Sequence, residues 1–539
     1  MTRPNLAPAS RSALDLDRLV RKAYAAHRDG DWPKADRLYR AALAHDPDNF
    51  DLLHFLGDVS FQRGRLDDAL RFFAAAVARN ARSAAALSDL GLAQHALARY
   101  QDALASHAAA LALEPDNPDM INRSAVTLIR VGRAEAALAA LDRALARAPE
   151  NVAALGNRGN ALMRLNRPAA AIAAYDAALA IAGDDAQLLT NRAHALRRLD
   201  RVEEALAALV RATAIRPDFA EAQFELALAQ LALGDFVAGW RTYEWRWAAA
   251  AFAPHRRPFT SPRWTGDQAL AGKTVLLHAE QGFGDTIQFV RYVPLVARLG
   301  ARVVLEVQPA LVSLVAGLAG VATVVARGDK LPRFDLHCPL MSLRGALATR
   351  PDDIPAAVPY LAAPAARADH WAQRLPARRP RVGIAWAGEA THANDLNRSL
   401  PLALLAPLLR RDGAGFVSLQ HALRAGDDAI LGELANVARL GEALVDFADT
   451  AALIAQLDLV IAVDTAVAHL AGALGKPLIV LLPYAADFRW MRGRADSPWY
   501  PSARLMRQAA FDDWGAVMAR LPTAMREVPY GPRAGVHPT

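Results

Sequence analysis

Aligned on itself at a spacing of 34 residues, the first half of this chain repeats its small residues in register. One column runs Ala35, Ala69, Ala103, Ala137, Ala171, Ala205 and ends at Gly239. A second runs Ala42, Ala76, Ala110, Ala144, Ala178, Ala212, and a third Gly57, Gly91, Ala125, Gly159, Ala193, Ala227. Breakers recur in phase: Gly30, Gly64, Gly132 and Gly234 at one loop, Pro47, Pro115, Pro149 and Pro217 at another, with Ala81, Ala98, Asn166 and Gly183 substituting elsewhere. Small residues let paired helices approach closely, while Gly and Pro end one helix and begin the next. Such units cannot bury their apolar faces alone, so they must stack into an α-solenoid, here over residues 17–247.

The array resembles the tetratricopeptide repeat. That resemblance implies a concave groove for a peptide, hence a protein or peptide acceptor or partner. One column near the groove reads Asp89, Arg123, Asn157, Asn191, Glu225. Asn157 and Asn191 have the chemistry to bond an extended peptide backbone, but two asparagines fit a solvated helix face better.

The array ends in Trp240, Tyr243, Trp245 and Trp247, rings expected to pack the last helix on the next domain rather than hold a ligand. Residues 248–272, rich in proline and basic residues, read as an ordered linker. Strand–helix alternation then begins: Lys273–Glu280, Ala301–Val307 and Thr323–Arg327 as strands, restarting at Arg381–Gly388 with Gly415–Gln420, the run before Asp464, and Pro477–Pro483. Two such sets predict two Rossmann-like lobes, residues 273–365 and 380–520, facing a cleft.

Ligands of open parallel sheets sit at the carboxyl ends of the strands. In the first lobe that place is Gln281-Gly282-Phe283-Gly284-Asp285-Thr286. Gly284 permits close backbone approach, and Asp285 is either a general base or a helix cap. The loop is not GxGxxG and no acidic residue follows at ribose-binding distance, so a dinucleotide dehydrogenase is weakly supported. In the second lobe Val460–Val463 turns at Asp464-Thr465 into an alanine-rich helix that Gly475 and Pro477 stop. Such a helix start either accepts a pyrophosphate or is an ordinary cap; His469 lies one turn in. The polar loop Trp386–Leu400 adds Arg398, a fixed cation, and Ser399, a helix cap or a phosphate donor.

A net charge of +7 carried almost wholly by arginine, interspersed with acids, gives no nucleic-acid stripe. The single cysteine, Cys338, excludes an internal disulfide and a cysteine metal cluster, and reads as a buried apolar residue. The first residues lack the apolar core of a signal peptide, and the longest apolar run, Val312–Ala326, is too short to span a bilayer. The expectation is a cytoplasmic chain without an integral membrane segment.

GFGDTIQ, NDLNRSLPL and VDTAVAHLAGALGKP stand in the order seen in glycosyltransferase family 9, the group of the ADP-heptose:lipopolysaccharide heptosyltransferases. The whole layout resembles bacterial proteins joining tetratricopeptide repeats to such a domain, sharing RxYEWRW, EQGFGD and DFRW…SPWYPSARLMRQ. The resemblance implies a GT-B fold and inverting, metal-independent transfer from a nucleotide-diphosphate sugar, used as a substrate with no cofactor. It assigns Asp285 as the base that takes the acceptor proton. It places Arg398 on the donor phosphates, Asp464, Thr465, Ala466 and His469 at the donor junction, and Gln420 at a base or ribose contact. Ala466 stands where glycine is frequent and Arg398 where lysine is, so the donor sugar does not carry over. The competing expectation is a tetratricopeptide scaffold with a degenerate, non-catalytic transferase domain.

Overall fold

The computed structural model describes residues 11–350, 353–392 and 394–528. Residues 1–10 of the amino-terminal segment weighed above, and Ala393 of the polar loop, lie outside them. Packing divides the chain into two compact units, one ending at Ala195 and the other starting at Leu196.

The first unit is a run of antiparallel helix pairs beginning with Arg11–Arg28. The first helix of successive pairs is capped by a side chain at the same register: Asn49, Ser83, Asn117, Asn151 and Asp185 each accept a first-turn N–H. The turn that carries Gly30, Gly64 and Gly132 keeps its left-handed backbone where glycine is replaced, with φ of 58° at Ala98 and 55° at Asn166. The small-residue column receives a ring from the partner helix. A Cβ on Gly57 would lie 2.5 Å from the Phe73 ring, on Gly91 2.6 Å from His107, and on Gly159 2.3 Å from Tyr175. These partners form a column of their own, Tyr39, Phe73, His107, Leu141, Tyr175, Leu209, Tyr243.

In the second unit the helices Val202–Ile215, Ala220–Ala232 and Phe236–Thr242 continue the pattern and pack with two parallel sheets. The first sheet comprises β1 (Thr274–His278), β2 (Arg302–Val307), β3 (Val321–Ala326) and β4 (Leu336–Pro339), in the order β3-β2-β1-β4. The second comprises β5 (Arg381–Ala385), β6 (Gly415–Ser418), β7 (Val437–Arg439), β8 (Leu459–Val463), β9 (Leu478–Leu482) and β10 (Ala503–Arg507), in the order β10-β9-β8-β5-β6-β7. β8 and β9 are buried at every position, as strands covered on both faces must be. One core runs from Trp240 and Tyr243 through β1 and β2 to β8 and β9.

The array-end rings divide. Trp240 packs edge-on to Phe289 and Phe488, with centroids 5.8 and 5.6 Å away, as expected of a domain contact. Trp245 is 36 % exposed instead, because the fully buried Arg246 takes the interior place. The linker is ordered: Trp264 N donates to the His337 carbonyl at 2.8 Å, and Arg257 pairs with Glu306. Cys338 is buried in β4, and burial pushes its thiol pKa up, so it is an inert packing residue. Among the described residues, no helix is long and apolar enough to cross a membrane.

Candidate functional site

β1 delivers the chain to Gly282, whose extended backbone starts the short helix Phe283–Phe289. Asp285, in its first turn, reaches back to accept the Gly282 N–H on Oδ2 at 3.0 Å. The capping role is therefore present, and it leaves Oδ1 turned outward. Oδ1 meets Arg489 Nη2 at 2.5 Å, and the carboxylate remains 23 % exposed.

Arg489 is the residue that sequence reasoning passed over. Its Nε donates to Gln288 Oε1 at 3.1 Å and its Nη1 to Asp487 Oδ1 at 2.8 Å. Burial works against its charge, but the Asp487 and Asp285 carboxylates outweigh it and raise the pKa. The available signal was position: DFRW follows β9, at the edge of the sheet where such folds bind ligands.

In the second lobe β8 ends at Asp464, and Thr465 starts the helix Ala466–Ala473 in an extended conformation. Among the described residues, Thr465 makes no side-chain cap bond and its buried Oγ1 has no hydrogen-bond partner. Burial first, then the Asp487 charge, pushes the Asp464 carboxyl up to about 6. Arg398 Nη1 donates to the Asp464 carbonyl at 3.2 Å, while its buried Nε has no partner among the described residues. A Cβ on Gly388 would stand 2.5 Å from Arg398 Nη2, so the bare glycine is what lets the guanidinium lie against the loop. A helix start, a hydroxyl without a partner among the described residues and a guanidinium with an unused N–H have the chemistry to receive an anion.

The two lobes touch here. A Cβ on Gly284 would lie 2.8 Å from His469 Cδ2 and 3.5 Å from the Ala466 Cα. The close approach that Gly284 permits is to the junction helix. His469 is buried, stacked on Trp490 with centroids 5.2 Å apart, with Nδ1 3.0 Å from the Tyr500 hydroxyl. Burial, then the Arg489 charge, pushes its pKa down to about 3, so it is a neutral packing element and not a phosphate cation. Ser399 donates its one proton to Asp395 Oδ1 at 2.8 Å and accepts the Gly388 N–H at 3.0 Å. No proton is left for a phosphate in this arrangement. Gln420 is likewise consumed, accepting from Trp386 and Ala387 N–H and donating to the Ala387 and Ala422 carbonyls, so it shapes the loop.

In the array, Asn157 Nδ2 donates to Asn122 Oδ1 at 2.8 Å, and Asn191 Nδ2 to Asn160 Oδ1 at 3.2 Å. Asn160 Nδ2 closes on Asn157 Oδ1 at 3.3 Å. The column is a ladder of side-chain amides between repeats, half-buried rather than freely solvated.

Family models agree with this division. Tetratricopeptide repeat models match residues 26–90, 86–121, 123–186 and 193–234, and the model of glycosyltransferase family 9 (heptosyltransferase) matches 427–509. The chain carries tetratricopeptide repeats and a glycosyltransferase family 9 domain. The family 9 match takes in Asp464, Thr465, Ala466, His469 and Arg489; Asp285 and Arg398 precede it. Protein FlbA of Caulobacter vibrioides is 30 % identical over 335 residues, 58 % of this chain and 56 % of that protein, so the chain spans about half of its relative's length. Among solved structures, a tetratricopeptide repeat protein from Parabacteroides merdae is 17 % identical, covering 43 % of this chain and 91 % of its own at a TM-score of 0.38. PilW, a type IV pilus biogenesis factor, is 20 % identical, covering 40 % and 100 % at 0.37. The domain points to glycosyl transfer and the repeats to protein binding.

Proposed function

We propose that this chain is an inverting, metal-independent glycosyltransferase that uses a nucleotide-diphosphate sugar and whose repeats present a protein acceptor or recruit a partner. The observation that supports this is the meeting of two loop ends. The carboxylate edge at Asp285 and the anion-binding edge at Arg398 and Thr465 come from different lobes, and Gly284 packs on the helix that Thr465 begins.

Asp285 takes the proton from an acceptor hydroxyl, and that oxygen attacks the anomeric carbon of the sugar from the face opposite the diphosphate. The bond from that carbon to the phosphate oxygen breaks, its electron pair leaves on the diphosphate, and the configuration inverts. The charge that develops is met by Arg398, the Thr465 hydroxyl and the first N–H groups of Ala466–Ala473. Asp464, Gln420, Ser399, Ala466, His469 and Gly284 hold these groups in place.

The test is transfer from radiolabelled nucleotide sugars to lysate protein by the full chain and by Asp285→Asn. Labelling should vanish in the variant while calorimetry still detects nucleoside diphosphate. Equal labelling by both would remove Asp285 as the base.

A further inference from the structure

Two residues of the segment that closes the array reach the glycine loop. The Tyr243 phenol oxygen accepts from Gln281 Nε2 at 2.9 Å. Arg246 Nη2 donates to Glu280 Oε1 at 3.1 Å and to Ser342 Oγ at 2.7 Å, while Nη1 holds Glu244 at 2.9 Å. Arg246 is fully enclosed, its guanidinium carbon 4.8 Å from the Tyr243 ring centroid and 4.6 Å from that of Trp247. Glu280 and Gln281 immediately precede Gly282, whose N–H orients Asp285. Gln281 also gives its carbonyl to Gln308 Nε2 at 2.8 Å, and Gln308 Oε1 takes the Thr286 hydroxyl at 3.0 Å. Asp285 is bracketed in sequence by bonds that lead back to Tyr243.

We propose that Tyr243 and Arg246 are positioning residues of the transfer reaction, fixing through Gln281 and Glu280 the loop that aims Asp285. The last, partial repeat is then part of the transfer site and not only a carrier for a partner. The inference rests on Asp285 being the base. The physical need is plain in both contacts. Glu280 is buried, and among the described residues one of its oxygens is unpartnered while the other takes the Arg246 guanidinium and, at 3.3 Å, the Met341 N–H. Tyr243 stands in a column whose members Phe73, Leu141 and Leu209 pack without a hydroxyl, and its own hydroxyl meets Gln281.

The experiment uses the full chain. Tyr243→Phe keeps the ring and removes one oxygen, so its melting temperature should stay at the wild-type value. Its kcat should fall about tenfold, the equivalent of one lost hydrogen bond, with the KM for the nucleotide sugar unchanged. Amide exchange of the 280–286 segment should quicken several-fold, while exchange at Ala466–Ala473 does not. An unchanged kcat overturns the positioning role. Arg246→Met removes the cation beside Glu280, whose carboxyl is already pushed up to about 7 by burial, and destabilises the fold, so it is paired with Arg246→Met/Glu280→Gln. The double variant should regain the melting temperature but not the kcat, and regaining both overturns the Arg246 half. Were the wild type itself to transfer no sugar, the reading of Asp285 would fall. Unchanged exchange at 280–286 in Tyr243→Phe would then still overturn the coupling separately.

Discussion

In Gly284→Ala the new Cβ would stand 2.8 Å from His469 Cδ2. Carbon atoms rest about 3.5–4.0 Å apart, so the contact is short by roughly 0.7–1.2 Å. The imidazole has no free direction: it is 4 % exposed, stacked on Trp490 and bonded to Tyr500. Relief must come from sliding Phe283–Phe289 off the junction helix, and Asp285 is the very next residue. Overpacking costs about 1–3 kcal/mol, and exchanging Gly for Ala in a helix returns up to about 1 kcal/mol. The net loss of stability is about 0–2 kcal/mol, a melting shift of a few degrees at roughly 2–4 °C per kcal/mol. Activity suffers more, since a misplacement of about 1 Å costs on the order of 100-fold. Transfer should fall roughly 10- to 100-fold while the fold survives. Sugar transfer and thermal melting are measured side by side, with Gly432→Ala as the control, because a Cβ there meets nothing within 4 Å. Wild-type kcat in Gly284→Ala, or equal damage in the control, refutes the reasoning.

Arg398→Ala should weaken nucleoside diphosphate binding about 10- to 150-fold, the worth of a charge-assisted hydrogen bond of about 1.5–3 kcal/mol, without lowering the melting temperature; an unchanged Kd by calorimetry removes Arg398 from the donor site. Asp464 titrates at about 6 in the fold, against near 4 in an unfolded chain. The native state therefore holds the extra proton across that window, and stability is lost as pH rises through it. Asp464→Asn should thus melt above wild type near pH 7.5 and lose that advantage near pH 4.5, and melting curves ordered the other way reject the assignment.

Much of this architecture is legible because its causes are local. Small residues and breakers in phase announce the array, and the left-handed turn persists even at Ala98 and at Asp200, with φ of 58° and 55°. The ring column escaped notice because Tyr, Phe, His and Leu fill it interchangeably; only the Cβ-less glycines opposite betray what they receive. Among the strands, β4, β7 and β10 were missed, and all three are edge strands of their sheets. An edge strand buries less and needs a shorter apolar run, as the three residues of β7 illustrate. At the site, loop position alone marks Asp285, Arg398 and Thr465 as candidates. Arg489 also follows a strand end, but its pairing with Asp285 was not legible, because 204 residues separate the two and no periodicity connects them. The polarity of the Ser399 and Gln420 positions was visible, but not that the loop consumes it.

Stacked repeats leave an apolar end face that must be covered, ordinarily by a polar terminal helix. This chain covers it with the two-sheet part of the second unit. At Tyr243 the ring column reaches its last member, and the rings of Trp240 and Tyr243 meet Phe289 and Phe488 instead of another repeat. Arg492 adds a second tie, pairing with Asp200 at 2.9 Å and Glu203 at 2.7 Å from a loop that also carries Arg489. Met491, between those arginines, is held at a φ of 51°, a conformation that costs a non-glycine residue about 1 kcal/mol or more and persists only where its surroundings impose it. The cap of the array and the support of the Asp285 ion pair are thus one structure. A chain cut at residue 247 would lose both together, which is the physical reason the last repeats and the lobes pack as a single unit.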